Sequence, residues 1–132
     1  MPDALTDYSA TELLEWIFAA TDVDPAPSNT YLTLLDSTGA DLAADLDAAR
    51  LQTAPADWSI TGSDVDNAAE LSLGNATADI SDITYAALFD AASGGNELLR
   101  TTLPNDPTSI ATGTEWTWEV GDLTFDAVTF DE

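Results

Sequence analysis

The sequence predicts a mainly β protein: an antiparallel β-sandwich or barrel-like domain carrying one N-terminal α-helix. Three observations lead there. Short apolar or alternating runs recur, separated by turn signals every eight to twelve residues or so. Only one clear stretch, near the N-terminus, has helical periodicity, and a pair of prolines follows it. Hydrophobic residues make up 45% of the 132 positions, enough for a modest core in a single domain despite a formal net charge of −23.

The helix is expected over residues 9–23. Ser9-Ala10-Thr11-Glu12 fits a capping box, in which serine and glutamate satisfy orphan amides reciprocally. Leu13, Leu14, Ile17, Phe18 and Thr21 then recur at helical spacing, Trp16 widens the apolar stripe, and Asp24-Pro25-Ala26-Pro27 stops it. Glu12 and Glu15 suit the positive end of the helix dipole.

The β-domain is expected over residues 30–130. Thr30–Leu35 reads as a strand closed by the turn-like Asp36-Ser37-Thr38-Gly39. Residues 41–53 fit either a helix bearing Leu42, Leu46, Ala49 and Leu51 or a loop leading into a strand at 48–53. Trp58–Thr61 reads as a short edge piece, and Ala69–Leu73 alternates as a half-buried strand should. Ile83–Phe89 is apolar enough for a central strand, and Ser93-Gly94-Gly95-Asn96 turns into Leu98–Leu103. Near the C-terminus Trp116, Trp118 and Val120 share one face and Thr117 and Glu119 the other. Gly121-Asp122 then sits where a hairpin turn would, before Leu123, Phe125 and Ala127.

Charge decides which partners are possible. Twenty-five carboxylates face only Arg50 and Arg100, and lysine is absent. Such a surface repels itself in dilute buffer. In molar salt the screening length falls to about 3 Å and the repulsion largely vanishes. The acids are spread along the chain in ones and twos, the pattern of a surface kept hydrated in brine rather than an interaction tail. Nucleic acid and anionic membranes are excluded as partners on the same grounds. Met1-Pro2-Asp3 lacks the basic start and apolar run of a signal peptide, so synthesis in the cytoplasm is expected.

Composition also removes most chemistry. Without histidine there is no Ser-His-Asp triad or imidazole acid–base catalysis. Without cysteine there is no thiolate metal site, and without lysine no Schiff base. Carboxylate pairs could in principle hydrolyse a glycoside, but a chain this acidic produces such pairs by chance. Asp22-Val23-Asp24, Asp45-Leu46-Asp47 and Asp64-Val65-Asp66 lack the glycine and bidentate glutamate of a calcium loop and read as solvated loops. Gly94-Gly95 matches neither phosphate-binding glycine pattern and reads as a turn. No enzymatic activity, cofactor or metal is expected.

The stretch from Tyr85 to Leu99, reading Tyr-Ala-Ala-Leu-Phe-Asp-Ala-Ala-Ser-Gly-Gly-Asn-Glu-Leu-Leu, resembles a family of small tailed-phage virion proteins commonly labelled tail-fibre proteins. Leu13-Leu14 is similar to that family's N-terminal helix, and Tyr31–Thr38 to its first strand. Leu73–Thr77 takes the place of its Phe-Pro-Thr-Ala-Thr stretch, and Val120–Thr124 that of its late Ala-Gly-Asp-Leu-Thr motif. The family's Tyr-Ala-Arg segment is represented only by Ala48-Ala49-Arg50.

The resemblance implies a virion structural protein. With the salt-adapted composition, it points to a virus of a halophilic archaeon. Expected roles are a tail-fibre component, a capsid decoration or a turret, built from repeated copies in a closed homo-oligomer and contacting other virion proteins. Leu14, Trp16, Ile17 and Phe18 are the expected anchoring residues, and Trp116 and Trp118 the expected core or interface pair. The alternative is a carbohydrate-binding module touching the host surface glycoprotein, with the tryptophans as stacking platforms.

Two cations cannot supply ion-paired contacts, so assembly should rest on apolar contact and screening. Sedimentation across a salt series is expected to show dissociation as salt is removed; an oligomer unchanged at low salt would contradict this.

Overall fold

The computed structural model describes residues 5–18, 27–104 and 108–126. It is mainly β, with eleven strands in antiparallel sheets and one helix; no closed barrel forms among the described residues. Helix α1 spans Asp7–Ile17. The strands are β1 (Thr30–Leu35), β2 (Leu51–Thr53), β3 (Trp58–Thr61), β4 (Asp64–Asn67), β5 (Leu71–Asn75), β6 (Ile80–Ile83), β7 (Tyr85–Phe89), β8 (Glu97–Thr102), β9 (Thr108–Ile110), β10 (Glu115–Trp118) and β11 (Thr124–Asp126).

The largest sheet has the order β2-β1-β7-β8, so the expected central strand is indeed internal. Beyond it the pairings nest: β7 with β8, β6 with β9, β5 with β10, β4 with β11. That is the winding of a jelly roll, in which a long antiparallel ribbon folds over itself. Strand β3 completes the β11-β4-β3 sheet as an edge, where the sequence placed it.

Period-two alternation fills the core. Leu32 and Leu34 of β1, Ala86 and Leu88 of β7, and Leu71 and Leu73 of β5 meet Ile80, Ile83, Leu123, Trp118 and Phe125 in one buried cluster. Trp58 packs edge-on against Phe125, with ring centroids 5.9 Å apart.

The other face of the β1–β7 pair is buried as well. Thr33, Leu35 and Ala87 lie under the segment joining β1 to β2. In that segment Thr33 donates to Asp41 Oδ1 at 2.7 Å, and Arg50 stacks over the Phe89 ring at 3.8 Å from its centroid. Residues 41–53 therefore form a loop with a 3₁₀ turn at Ala43–Asp45 leading into β2, not a helix.

Three expectations need correction. The N-cap of α1 is Thr6, not Ser9: the Ser9 amide itself donates to Thr6 Oγ1 at 3.3 Å. Thr6 is selected because its amide also donates to the Leu98 carbonyl, and its hydroxyl lies 2.6 Å from the Glu97 carbonyl, so a tertiary contact fixes the helix start. The helix runs to Ile17 with Phe18 as its C-cap; the rest of the expected 9–23 span, from residue 19, lies outside the described residues, as does 127–130 of the β-domain.

The expected hairpin of Trp116–Val120 with Leu123–Ala127 does not form either. Gly121 turns the chain, but β10 pairs with β5 and β11 with β4. Buried Asn67 drives the divergence. Its Nδ2 donates to the carbonyls of Ala69 and Glu119, and its Oδ1 accepts from the Leu123 amide, so it holds both ends of the turn. Finally, the Ile83–Phe89 run is two strands rather than one. Thr84 breaks it, donating its amide to Leu35 and its hydroxyl to Asp82.

Carboxylates take over the turn chemistry. Asp36 Oδ1 accepts from the Thr38 amide and hydroxyl and from the Ala40 amide, while Asp82 accepts from Ser37 and Thr84. Asp79 accepts from the Thr112 amide and hydroxyl. These bonds hold all three carboxyls below the usual range: for Asp36 chiefly the Thr38 hydroxyl, for Asp82 the Ser37 hydroxyl, for Asp79 the Thr112 amide. Asp64 is pushed upward, first by desolvation, then by its hydrogen bond to Asp126 and by repulsion from Asp126 and Asp66.

The signs differ, and so do the pH windows. The three capping carboxylates stabilise fully above the ordinary aspartate value of about 3.9, and that contribution is lost as pH falls below it. Asp64 destabilises while ionised, and is relieved as pH falls through its raised value. The midpoint of thermal unfolding at fixed low salt is expected to be highest in mild acid. Asp64→Asn should remove part of the rise on acidification, and Asp82→Asn part of the loss below it. In molar salt, denaturant titration of Phe125→Ala should show a loss of about 3–5 kcal/mol, the cost of emptying a fully buried aromatic site.

Candidate functional site

Helix α1 joins the β-domain at its first turn. Leu5 bridges to Leu99, and Thr6 ties the helix start to the carbonyls of Glu97 and Leu98 on β8. None of its residues is fully buried. Its orientation is the reverse of an ordinary surface helix, which turns its apolar stripe inward. Tyr8, Ser9, Ala10, Glu12 and Glu15 are half-buried, and of these Tyr8, Glu12 and Glu15, spaced four and three apart, form one stripe. Leu13, Leu14, Trp16, Ile17 and Phe18 face outward, with Trp16 70% and Phe18 79% exposed.

All four expected anchoring residues, Leu14, Trp16, Ile17 and Phe18, therefore lie together on one exposed surface, and Leu13 extends it. At about 100° per residue these five span an arc of roughly 200°, with Glu12 and Glu15 outside it. Periodicity identified the apolar stripe. Nothing in it could show that the stripe points away from the domain, because that depends on the Thr6 cap on β8.

Trp116 and Trp118 behave differently. Trp118 is buried in the core and Trp116 packs partly buried against it, edge-to-face with centroids 5.8 Å apart. Their shared face is therefore core, and Val120, expected to continue it, is exposed in the turn. Trp116 Nε1 is enclosed without a hydrogen-bond partner among the described residues.

Both arginines are occupied on the outer face of the β2-β1-β7-β8 sheet. Arg50 bonds Asp41 at 2.8 Å, donates to the carbonyls of Ala91 and Gly94, and is almost wholly enclosed. Arg100 makes a two-pronged contact with Glu97, at 2.6 and 2.8 Å, and lies over Tyr85. The Glu97 hydrogen bonds raise the Arg100 pKa above its already high ordinary value.

Arg50 was not singled out by the sequence, yet it shapes the most distinctive motif. It holds the loop after β7, which Asp90 closes by accepting from the Asn96 amide and side chain. Gly95 completes that loop with φ 74°, where a Cβ would meet Asp90 Oδ1 at 2.5 Å.

Among the described residues no group of three or more carboxylates is arranged to hold a metal ion. Asp22 and Asp24 lie outside those residues. No described helix is long and apolar enough to cross a membrane.

The helix thus displays an apolar, aromatic-rich surface on an anionic domain whose two arginines are both engaged internally. No curated protein matches the chain. A family model, described as Podophage GP4 fiber I protein gp80, matches residues 4–126. Because that match takes in the helix and every described strand, the chain belongs to the Podophage GP4 fiber I protein gp80 family.

Proposed function

We propose that this chain is a non-enzymatic structural component of the virion of a haloarchaeal tailed virus, present in multiple copies on the particle surface. Membership of a podophage fibre family supports the virion role. The composition supports the host: −23 on 132 residues is sustainable in brine and self-repelling elsewhere. The observation that carries the reading is α1, whose apolar residues are turned outward while its glutamates are turned inward. An exposed apolar surface of that kind marks a contact with protein. Tail-fibre component is the role nearest the family; capsid decoration or a turret would use the same surface.

A carbohydrate-binding role has less support. Trp116 and Trp118 meet edge-to-face, and one is buried, so they offer no flat stacking platform.

Purified particles should contain the chain at a defined copy number by quantitative mass spectrometry, and imaging should locate it outside the shell. The Trp16→Ala, Phe18→Ala double variant should be depleted from particles at least tenfold while folding normally in high salt. Particles lacking the chain, or full incorporation of the double variant, would refute the proposal. A change in tryptophan fluorescence on adding host surface glycans would favour the carbohydrate reading instead.

A further inference from the structure

We infer that Arg50 is the residue that aims α1: by pinning the loop between β7 and β8 it holds a bulge in β8 whose two carbonyls seat Thr6, and with Thr6 the direction of the helix. Given the proposed assembly role, on which its functional meaning rests, Arg50 is a positioning residue for the contact surface of α1.

The bulge lies at Leu98. The register passes from Leu88 opposite Leu99 to Phe89 opposite Glu97, so β8 uses two residues where β7 uses one. In a regular antiparallel strand successive carbonyls point to opposite edges, and one residue could not reach two of them. The extra residue turns the Glu97 and Leu98 carbonyls to the same free edge. There the Thr6 hydroxyl lies 2.6 Å from the first and 3.1 Å from the second, and the Thr6 amide donates to Leu98 at 3.2 Å. Leu5 pairs with Leu99 beside it. The seat of the helix is therefore a product of strand register.

Arg50 controls that register from the loop side. Its side chain is 6% exposed, and its Nη1 donates to the carbonyls of Ala91 and Gly94, both at 2.8 Å. Asp90 closes the same loop on Asn96, the residue next to Glu97, through its own amide at 3.1 Å and its carboxylate at 2.7 and 3.0 Å. With both halves of the loop fixed, β8 starts with Leu98 out of register.

The approach of Arg50 is strained. Ala49, directly before it, has φ 51°, the left-handed region that a non-glycine residue occupies at a cost. Such strain persists only where the surroundings over-determine it. Here they are the contacts of the guanidinium with Asp41, Phe89, Ala91 and Gly94. A lysine ammonium would keep the charge but could not pair with Asp41, stack on the ring and reach both carbonyls at once.

The test uses the full-length chain in molar salt. Because the chain has no cysteine, spin labels can be placed at Thr11→Cys on α1 and Ser59→Cys on β3, both exposed. Diluted into unlabelled chain, the pair reports the helix position as one distance distribution by double electron–electron resonance. Arg50→Lys should broaden a single narrow distribution. Amide exchange at Thr6 should also speed up about tenfold, the loss of roughly one hydrogen bond. Gly95→Ala distorts the loop without touching Arg50, because its Cβ would meet Asp90 Oδ1 at 2.5 Å and the Ala91 side chain at 2.7 Å. It should broaden the distribution equally, and the two changes together should do little more than either alone. Leu73→Ala, which empties a buried site on β5, should lower the unfolding midpoint and leave both helix readouts unchanged. An unchanged distribution and unchanged Thr6 exchange in Arg50→Lys, or in Gly95→Ala, would overturn the inference. Equal broadening by Leu73→Ala would overturn it too, by making helix position a reflection of overall stability. Particle assembly is a separate readout: a chain whose helix is displaced by Arg50→Lys yet enters particles in full would sustain the inference and refute the proposed function.

Discussion

The structure depends on how two cations are spent among twenty-five carboxylates. Both sit on the outer face of one sheet, over Phe89 and Tyr85, and each is satisfied by an acid of its own chain. Arg50 is the more consequential. Its guanidinium joins the β1–β2 segment, through Asp41, to the loop between β7 and β8, through two carbonyls. It thereby seals a face of the sheet that would otherwise expose Thr33, Leu35 and Ala87. A planar donor fork above an aromatic ring suits this position in a way a lysine ammonium would not. With the cations committed there, the carboxylates are used as acceptors for turn amides, a role that requires no counter-charge.

That economy goes with a separation of exposed apolar surface from charge in space. The strands bury their apolar faces in one core, the loops carry the acids, and α1 shows its hydrophobic residues to the outside. An amphipathic helix docked in the usual sense would have added Leu14, Ile17 and Phe18 to the core. The Thr6 cap on β8 prevents this, because it fixes the helix at its first turn and leaves the polar stripe of Tyr8, Glu12 and Glu15 toward the domain. The fold thus leaves this apolar area outside the core, where the proposed assembly role would use it.

Much of this was legible in the sequence, and what was missed has common causes. Alternation located β5 and β10, strand-like and apolar runs located β1 and β7, and the Gly94-Gly95 turn placed the start of β8. Strand β4, Asp-Val-Asp-Asn, was invisible because its outward positions are acidic and only Val65 and Asn67 turn inward. The hairpin expected around Gly121 failed because one buried asparagine, more than fifty residues away, holds the turn and separates its flanks. The helix cap was misplaced by three residues for a similar reason: Ser9 and Thr6 are both competent caps, and β8 chose between them. The residues expected to anchor were identifiable as an apolar stripe but not as an exposed one. For Trp116 and Trp118, spacing alone could not separate core from interface.

The nested pairing of β4 through β11 also bears on how the chain is made. The β7–β8 hairpin closes the shortest loop, and each enclosing pair must bridge a longer one, so entropy favours zipping outward from the centre. Phe125, at the heart of the core, belongs to the last strand to dock. A chain cut before β11 therefore lacks the largest of the fully buried side chains. Such a product leaves the centre of the core unfilled, so core packing itself discriminates against it.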